Sequence, residues 1–207
     1  MAAEPEWVAH WDEAYTQGDT ARSWFQAAPE MSLRMLDAAG VTPADSVIDV
    51  GGGASPLAEA LLERGFRDVT VLDISAAAVE QARRRLGPRA GQVHWLTADI
   101  RAWRPTRRYA AWHDRAVFHF FTAEPDRQDY LRALAAGTTP GAVAVVGCFA
   151  PDGPHQCSGL PVARYGPGDL AAELGPDWAL VAGDREEHTT PAGRTQPFTW
   201  VALRRTR

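Results

Sequence analysis

The sequence predicts an α/β fold: a doubly wound, mostly parallel sheet of seven strands, with a C-terminal antiparallel hairpin and helices on both faces. Three observations predict this fold. Short apolar runs alternate with helical stretches along the chain, an order typical of parallel sheets. A run of three glycines follows the first apolar run. The last two apolar runs follow each other with no helical stretch between them, which indicates a hairpin.

The first unit is a strand, a glycine turn, a helix and a second strand. Val47 to Val50 is a short apolar run of the kind that forms a strand covered on both faces. Three glycines then let the backbone turn sharply and leave no side chain between it and a ligand. Ser55 and Pro56 fit a helix start, with Ser55 as N-cap and proline in the first turn. The second strand ends in an acid, Asp73.

The remaining elements continue the alternation. Strands are predicted near 46–50, 69–73, 92–97, 109–114, 142–149, 178–186 and 196–204. Helices are predicted near 56–64, 76–86, 126–136 and 168–174. The last two strands read as a hairpin through 189–193. A chain of 207 residues suits one domain with a full core, and no linker is long enough to divide it.

Composition narrows the function classes. No apolar run reaches membrane-spanning length and the N-terminus carries no secretion signal, so we expect no membrane partner and a cytoplasmic location. The net charge of −5 disfavours nucleic acid as a partner. All 21 basic residues are arginine, which excludes a lysine base or Schiff base. Two cysteines are too few for a disulfide framework.

The glycine turn predicts a nucleoside ligand, and its surroundings favour one cofactor. Asp73 lies 22 residues after Gly51, a spacing that suits an acid accepting hydrogen bonds from ribose hydroxyls. A dinucleotide is the rival ligand, but the third glycine of its fingerprint is absent. Asp49, just before the turn, suits a cationic aminoacyl sulfonium better than a pyrophosphate. The sequence therefore favours S-adenosylmethionine over a dinucleotide or over a turn without a ligand.

These residues carry a family resemblance. The segment from Asp49 to Gly53 resembles motif I of the class I S-adenosylmethionine-dependent methyltransferases, although Ser55 stands where many members have a third glycine. Asp73 resembles their ribose-binding acid, and the segment from Thr97 to Ile100 resembles their adenine-side loop. The resemblance covers nearly the whole chain. It implies a helical lid over 1–40 and a Rossmann-like core over 41–207, with S-adenosylhomocysteine as the product.

The resemblance also implies where the cofactor binds. In such folds an N-terminal segment covers the cofactor, and its aromatic residues would stack near the adenosyl or methionine part and exclude water. Packing of those aromatics on the sheet edge is the alternative. The expected cofactor-binding residues are Tyr15, Trp24, Asp49, Gly51, Gly53, Asp73, Ile74, Asp99 and Ile100.

The acceptor site is expected in the loops beyond the carboxyl ends of the strands, because ligands of open α/β sheets lie there. The candidate catalytic residues are His113, Asp114 and Arg115 after the fourth strand and His188 on the final hairpin. A histidine or acid there would remove a proton or orient the base, and Arg115 would bind an anionic acceptor or pair with an acid.

Each candidate has an alternative interpretation. Asp114 and Arg115 would also fit a structural ion pair, and His119 would fit simple packing among phenylalanines. A metal site from His113, His155, Cys157 and His188 stays open in principle. Because His155 and Cys157 lack a standard zinc-ligand spacing, no metal is expected.

Two resemblances bear on the acceptor. Asp114-Arg115-Ala116, with Arg127 and Tyr130, is similar to the corresponding segment of thiopurine-type S-methyltransferases. The N-terminal half is similar to some protein-lysine methyltransferases. We therefore expect a methyltransferase acting on a small-molecule nucleophile of the thiol, amine or hydroxyl class. Protein-lysine methylation and a catalytically silent cofactor-binding regulatory module remain as alternatives, and the oligomeric state stays open.

Overall fold

The computed structural model describes residues 5–16 and 22–207. Within these ranges the helices are α1 (Pro5–Ala14), α2 (Glu30–Ala38), α3 (Leu57–Glu63), α4 (Ala76–Leu86), α5 (Glu124–Gly137) and α6 (Pro167–Leu174). The strands are β1 (Val47–Val50), β2 (Val69–Asp73), β3 (Val93–Thr97), β4 (Tyr109–Arg115), β5 (Thr138–Phe149), β6 (Gln156–Cys157), β7 (Leu160–Pro161), β8 (Trp178–Thr189) and β9 (Thr195–Arg205). No helix of these ranges is both long and apolar enough to cross a membrane.

Seven of the strands form one sheet in the order β3-β2-β1-β4-β5-β9-β8. Strands β1 to β5 run parallel, whereas β9 lies antiparallel between β5 and β8. This arrangement confirms the predicted fold class, including the C-terminal hairpin. The strand order reverses between β1 and β4, and such a switch point is where open α/β sheets bind ligands. The register pairs Asp49 on β1 with His113 on β4 at this point.

Two apolar layers cover the sheet. On one face Met35, Leu57 and Leu61 bring α2 and α3 into the first buried cluster. On the other face Tyr130 and Leu170 bring α5 and α6 into the second. The central strand β1 is buried along its whole length, which explains why the residues that flank Asp49 in this strand are all apolar.

Some elements differ from the prediction in detail. Helix α3 begins at Leu57, and Ser55 Oγ accepts a hydrogen bond from Leu57 N at 3.1 Å, so Ser55 caps the helix from one position further back than expected. Helix α2 and the short hairpin of β6 and β7 were not predicted individually. The hairpin turns through Ser158 and Gly159, which both have positive φ, the conformation of a two-residue hairpin turn.

Helix α1 is held against α4 by a single carboxylate. Asp12 Oδ1 accepts hydrogen bonds from Ser75 Oγ at 2.7 Å and from Ala77 N at 3.2 Å. Ser75 in turn caps α4 by accepting from Ala78 N at 3.0 Å. A carboxylate near a helix N-terminus is stabilised because free backbone N–H groups donate hydrogen bonds to it and the positive end of the helix dipole attracts it. Helix α1 therefore lies over the carboxyl end of β2.

Candidate active site

The glycine turn after β1 is packed too closely for larger residues at all three of its glycines. Gly51 has φ +66°, and a Cβ there would lie 2.1 Å from Val117 Cγ2. A Cβ at Gly53 would lie 2.5 Å from Asp73 Oδ2. A Cβ at Gly52 would lie 2.3 Å from Asp49 Oδ2. Non-bonded atoms do not approach this closely, so glycine is required at all three positions. The turn thus leaves room for the carboxylate of Asp73 as well as for a ligand.

The largest group of expected cofactor residues lines one open cavity of about 740 Å³. We call it the Asp73 cavity. Its floor includes Gly51, Asp73, Ile74, Asp99 and Ile100, from the carboxyl ends of β1, β2 and β3. Its cover comes from the N-terminal region through Trp7, Trp11, Tyr15 and Trp24. The structure therefore brings together residues that the sequence analysis placed on separate strands.

The two acids of this cavity differ in their surroundings. Asp99 is bound by Arg101, whose Nη2 lies 2.7 Å from Asp99 Oδ2. Asp73 Oδ1 accepts a hydrogen bond from Ser75 N at 2.8 Å. Burial raises the pKa of Asp73 to about 7 against this hydrogen bond, and the charge of Asp49 adds to the rise. Further hydrogen-bond donors, such as those of a bound ligand, would therefore lower the pKa of Asp73 and favour its charged form.

Asp49 has a partner that its position in sequence does not reveal. Its Oδ1 lies 2.7 Å from Nδ1 of His113, and both side chains are buried. Asp49 Oδ2 and His113 Nε2 have no hydrogen-bond partner among the described residues. His113 therefore orients the acid of the glycine turn and lies beside the cofactor residues. A second cavity of about 520 Å³ is lined by this pair together with Gly51, and we call it the Asp49 cavity.

Arg115 and His188 both hold the segment that carries Trp24. Arg115 Nη1 donates to the carbonyl oxygen of Trp24 at 3.0 Å. His188 Nε2 lies 2.8 Å from the carbonyl oxygen of Ser23, a contact in which the ring N–H donates. Burial lowers the pKa of His188, so the ring is neutral near pH 7. Arg115 also lines the Asp73 and Asp49 cavities, whereas His188 lines neither.

Asp114 lies away from these cavities. It is fully buried, accepts hydrogen bonds from Val117 N at 2.9 Å and Phe118 N at 3.1 Å, and accepts another from Tyr130 Oη at 2.7 Å. Burial raises its pKa to about 6. It forms no ion pair with Arg115. Asp114 thus stabilises the turn after β4 through these hydrogen bonds. The sequence analysis had expected it on the acceptor side of the site.

His119 and His155 lie outside the Asp73 and Asp49 cavities. His119 packs between Phe120 and Phe149, with ring centroids 4.5 and 4.8 Å away, and burial lowers its pKa to about 3. His155 is exposed. His113, His155, Cys157 and His188 do not converge, and among the described residues no group of three potential ligands is placed to hold a metal ion.

A third cavity of about 1280 Å³ opens beside the Asp73 cavity, and we call it the Gln196 bowl. It lies between helix α1, the Arg22–Trp24 segment, the β6–β7 hairpin and the start of β9. Its polar lining includes His10, Glu13, Arg22, Ser23, Gln156, Ser158, Arg194 and Gln196. Cys157 and Trp24 line both the bowl and the Asp73 cavity. Trp24 also lines the Asp49 cavity and therefore borders all three cavities.

Sequence analysis did not single out most residues of the bowl. His10 and Glu13 lie on α1, and Gln196 lies at the start of β9. They meet only because α1 folds back over the sheet. In the sequence, the one indication that any of these residues belongs to a site was the position of Gln196 directly after the final hairpin turn.

The sequence comparisons point to one family. Residues 47–141 match the family described as "Methyltransferase domain". The chain is also 29% identical over 92 residues to the eEF1A lysine and N-terminal methyltransferase of Mus musculus. That match spans 44% of this chain and 13% of the mouse protein's length.

Solved structures show the same fold. One is from work on the conversion of a disulfide bond into a thioacetal group during echinomycin biosynthesis. It has a TM-score of 0.76 and 22% identity, covering 96% of this chain and 92% of that one. Another is the 1,6-didemethyltoxoflavin-N1-methyltransferase of Burkholderia thailandensis, with 1,6-didemethyltoxoflavin and S-adenosylhomocysteine bound. Its TM-score is 0.68 and its identity 19%, and the match covers 100% of this chain and 92% of that one.

The family match and the shared fold agree with the residues that carried the resemblance. The motif I segment and Asp73 fall inside the matched residues 47–141, and the seven-stranded sheet has the fold of the methyltransferase structures. Residues 47–141, a little under half of the chain, therefore match a methyltransferase domain, and the chain has the fold of solved methyltransferases, as the resemblance to class I methyltransferases led us to expect.

Proposed function

We propose that the protein transfers a methyl group from S-adenosylmethionine to a small-molecule nucleophile of the thiol, amine or hydroxyl class. The observation that carries this proposal is the position of Trp24, which lines the Asp73 cavity, the Asp49 cavity and the Gln196 bowl. A donor bound across the first two cavities would present its methyl group beside this ring. An acceptor in the bowl would approach from the other side.

The adenosine part of the donor fits the Asp73 cavity. Asp73 would accept hydrogen bonds from the ribose hydroxyls, and Asp99 would accept one from the adenine amino group. Ile74, Ile100 and the aromatic cover would exclude water from the rings.

The methionine part fits the Asp49 cavity, because an acid and an arginine that line it each have buried atoms without a hydrogen-bond partner among the described residues. Asp49 Oδ2 is buried and without a hydrogen bond, and it would accept from the α-ammonium group. Arg115 Nε and Nη2 are also without partners among the described residues, and they would donate to the α-carboxylate. Burial lowers the pKa of Arg115, so an anion beside it would be stabilising. Trp24 and Tyr15 also line this cavity, so aromatic side chains would lie beside the sulfonium cation.

Catalysis would rest mainly on orientation. The cofactor supplies an activated methyl group on a positively charged sulfur, so the chain needs only to align the acceptor and take at most one proton. His10 lines the bowl, with Nε2 3.3 Å from Ser158 Oγ, and is placed to take that proton. Cys157 is no base, because burial raises its pKa to about 12 and keeps the thiol protonated.

Protein-lysine methylation is the second candidate, and the similarity to the mouse lysine and N-terminal methyltransferase favours it. One charge of the bowl disfavours it. Arg194 lines the bowl and has no salt bridge among the described residues, so a lysine ammonium beside it would approach a like charge.

A transfer experiment separates the candidates. Protein and methyl-labelled S-adenosylmethionine are incubated with a cell lysate that is then filtered into small-molecule and protein fractions. We expect label in the small-molecule fraction, and none with Asp73→Ala, which would bind the donor poorly. Label confined to protein would favour lysine methylation. Donor binding by calorimetry without label in either fraction would favour the silent module.

A further inference from the structure

We propose that Asp12 is a positioning residue for the methyl donor, which acts through Ser75 to hold helix α1 in place over the Asp73 cavity. This inference rests on the proposed function, because it concerns how the chain retains the donor. Two contacts at separate parts of the helix support it, and each leads to one of the two acids of the cavity.

The first contact is a chain of hydrogen bonds from Asp12 to Asp73. Asp12 Oδ1 accepts from Ser75 Oγ at 2.7 Å and from Ala77 N at 3.2 Å. The backbone N–H of Ser75 donates to Asp73 Oδ1 at 2.8 Å. A serine hydroxyl has one proton to donate, and here that proton goes to Asp12. Asp12 therefore fixes the residue that holds one oxygen of Asp73.

The second contact is at the other end of α1. The guanidinium carbon of Arg101 lies 4.9 Å from the centre of the Trp7 ring, a distance at which a cation and an aromatic ring attract each other. The same guanidinium binds Asp99, with Nη2 2.7 Å from Oδ2. Each expected cofactor acid is thus joined to α1 through one residue, Asp99 through Arg101 and Asp73 through Ser75.

The aromatic residues between these two contacts cover the cavity. Trp7 and Trp11 on α1 and Tyr15 just after it line the Asp73 cavity at a spacing of four residues. This spacing places side chains on one face of a helix. Tyr15 N donates to the carbonyl oxygen of Asp12 at 3.2 Å, so the turn that carries Tyr15 begins at Asp12. A shift of α1 away from α4 would therefore withdraw these rings from the cavity.

Apolar packing alone would not fix the helix as closely as Asp12 does. The rings of Trp7 and Trp11 pack against Phe120, with centroids 6.3 and 5.0 Å away. Such packing is not directional, whereas a hydrogen bond requires a defined distance and angle. The hydrogen bonds of Asp12 go to a charged acceptor, which makes them stronger than bonds between neutral groups. Loss of Asp12 would therefore loosen the cover and speed the release of a bound donor.

Calorimetry with S-adenosylhomocysteine tests the proposal. Asp12→Ala should bind about tenfold more weakly than the wild type, because it removes both hydrogen bonds. Asp12→Asn keeps an acceptor oxygen and should recover most of the affinity. Glu6→Ala is the matched control, since it removes an exposed acid from the same helix, and it should bind as the wild type does. A variant that only folds poorly would lower the binding stoichiometry and leave the affinity of its folded molecules unchanged.

A double-mutant cycle tests the route through Ser75. If Asp12 acts through the Ser75 hydroxyl, Asp12→Ala and Ser75→Ala remove the same contact. The loss of affinity in the double variant should then be smaller than the two single losses combined.

The outcomes separate this inference from the proposed function. If the wild type fails to bind S-adenosylhomocysteine, the proposed function itself is overturned. If the wild type binds it and Asp12→Ala binds it equally well, the positioning role is overturned while the methyltransferase proposal stands. Additive losses in the cycle, or an Asp12→Asn variant as weak as Asp12→Ala, would also overturn that role.

Discussion

His113 on β4 and Asp49 on β1 form a buried pair, with Nδ1 and Oδ1 2.7 Å apart. The pair spans the two strands that border the switch point of the sheet, and parallel register places the two residues side by side. Asp49 Oδ2 has no hydrogen-bond partner among the described residues, and Asp49 lines the Asp49 cavity. If Asp49 holds the cofactor as proposed, His113 would act on the cofactor through this acid, as a positioning residue.

The first prediction concerns this pair. His113→Ala should lower the free energy of unfolding by about 1 to 3 kcal/mol, because it leaves a buried carboxylate without its partner. Affinity for S-adenosylhomocysteine should also fall, since Asp49 is then free to turn from the cavity. Chemical denaturation and calorimetry measure the two effects. The exposed His155→Ala is the control, and wild-type affinity in His113→Ala would contradict the positioning role.

The second prediction concerns the glycine turn. Gly53→Ala should abolish detectable cofactor binding, because its Cβ would lie 2.5 Å from Asp73 Oδ2 and 2.8 Å from Ala78 Cβ. Gly91→Ala is the matched control: a Cβ there meets nothing within 4 Å. Calorimetry with S-adenosylhomocysteine compares them. Equal affinities of the two variants would show that the turn can shift without displacing Asp73.

Local patterns predicted the elements, and distant contacts decided the roles of the side chains. The sequence predicted the strand that ends at Val50, the glycine turn after it and the acid Asp73. These features depend on residues that are neighbours in the sequence, because apolar runs and backbone conformation are local properties. The partner of Asp49 lies 64 positions away and the partner of His188 165 positions away. No pattern of apolar residues in the sequence predicts contacts between side chains so far apart along the chain. From its position on the final hairpin His188 was therefore a candidate to remove a proton or orient the base, whereas the structure shows it holding the carbonyl oxygen of Ser23.

The third prediction is a pH dependence of stability. The pKa of Asp73 is raised from 3.8 to about 7 in the folded protein. Between these values the folded state holds a proton that the unfolded state has lost, so this group's contribution to stability decreases as pH rises and is level above 7. Asp114, raised to about 6, acts in the same direction. Asp73→Asn should make the cofactor-free protein more stable near pH 8 and flatten its profile, as measured by denaturant unfolding.

The same acid should make cofactor affinity depend on pH. Ribose hydroxyls donate more strongly to a carboxylate than to a carboxylic acid, so affinity should rise as pH increases through about 7. Calorimetry with S-adenosylhomocysteine from about pH 5.5 to about pH 8.5 would show the rise in the wild type. Asp73→Asn should bind about tenfold more weakly at high pH, and its pH dependence should be much flatter. An unchanged profile in this variant would assign the dependence to another group.

The last prediction separates a positioning role of His188 from a basic one. His188→Gln keeps an N–H donor within reach of the Ser23 carbonyl oxygen, whereas His188→Ala removes it. If His188 holds the segment that carries Trp24, kcat should fall in the alanine variant and be largely restored in the glutamine variant, with the same pH profile as the wild type. If His188 instead acted as a base, His188→Ala and His188→Gln should lose activity equally, because neither alanine nor an amide accepts a proton near neutral pH. The two variants, assayed side by side on the acceptor found in the small-molecule fraction, therefore give opposite results for the two roles.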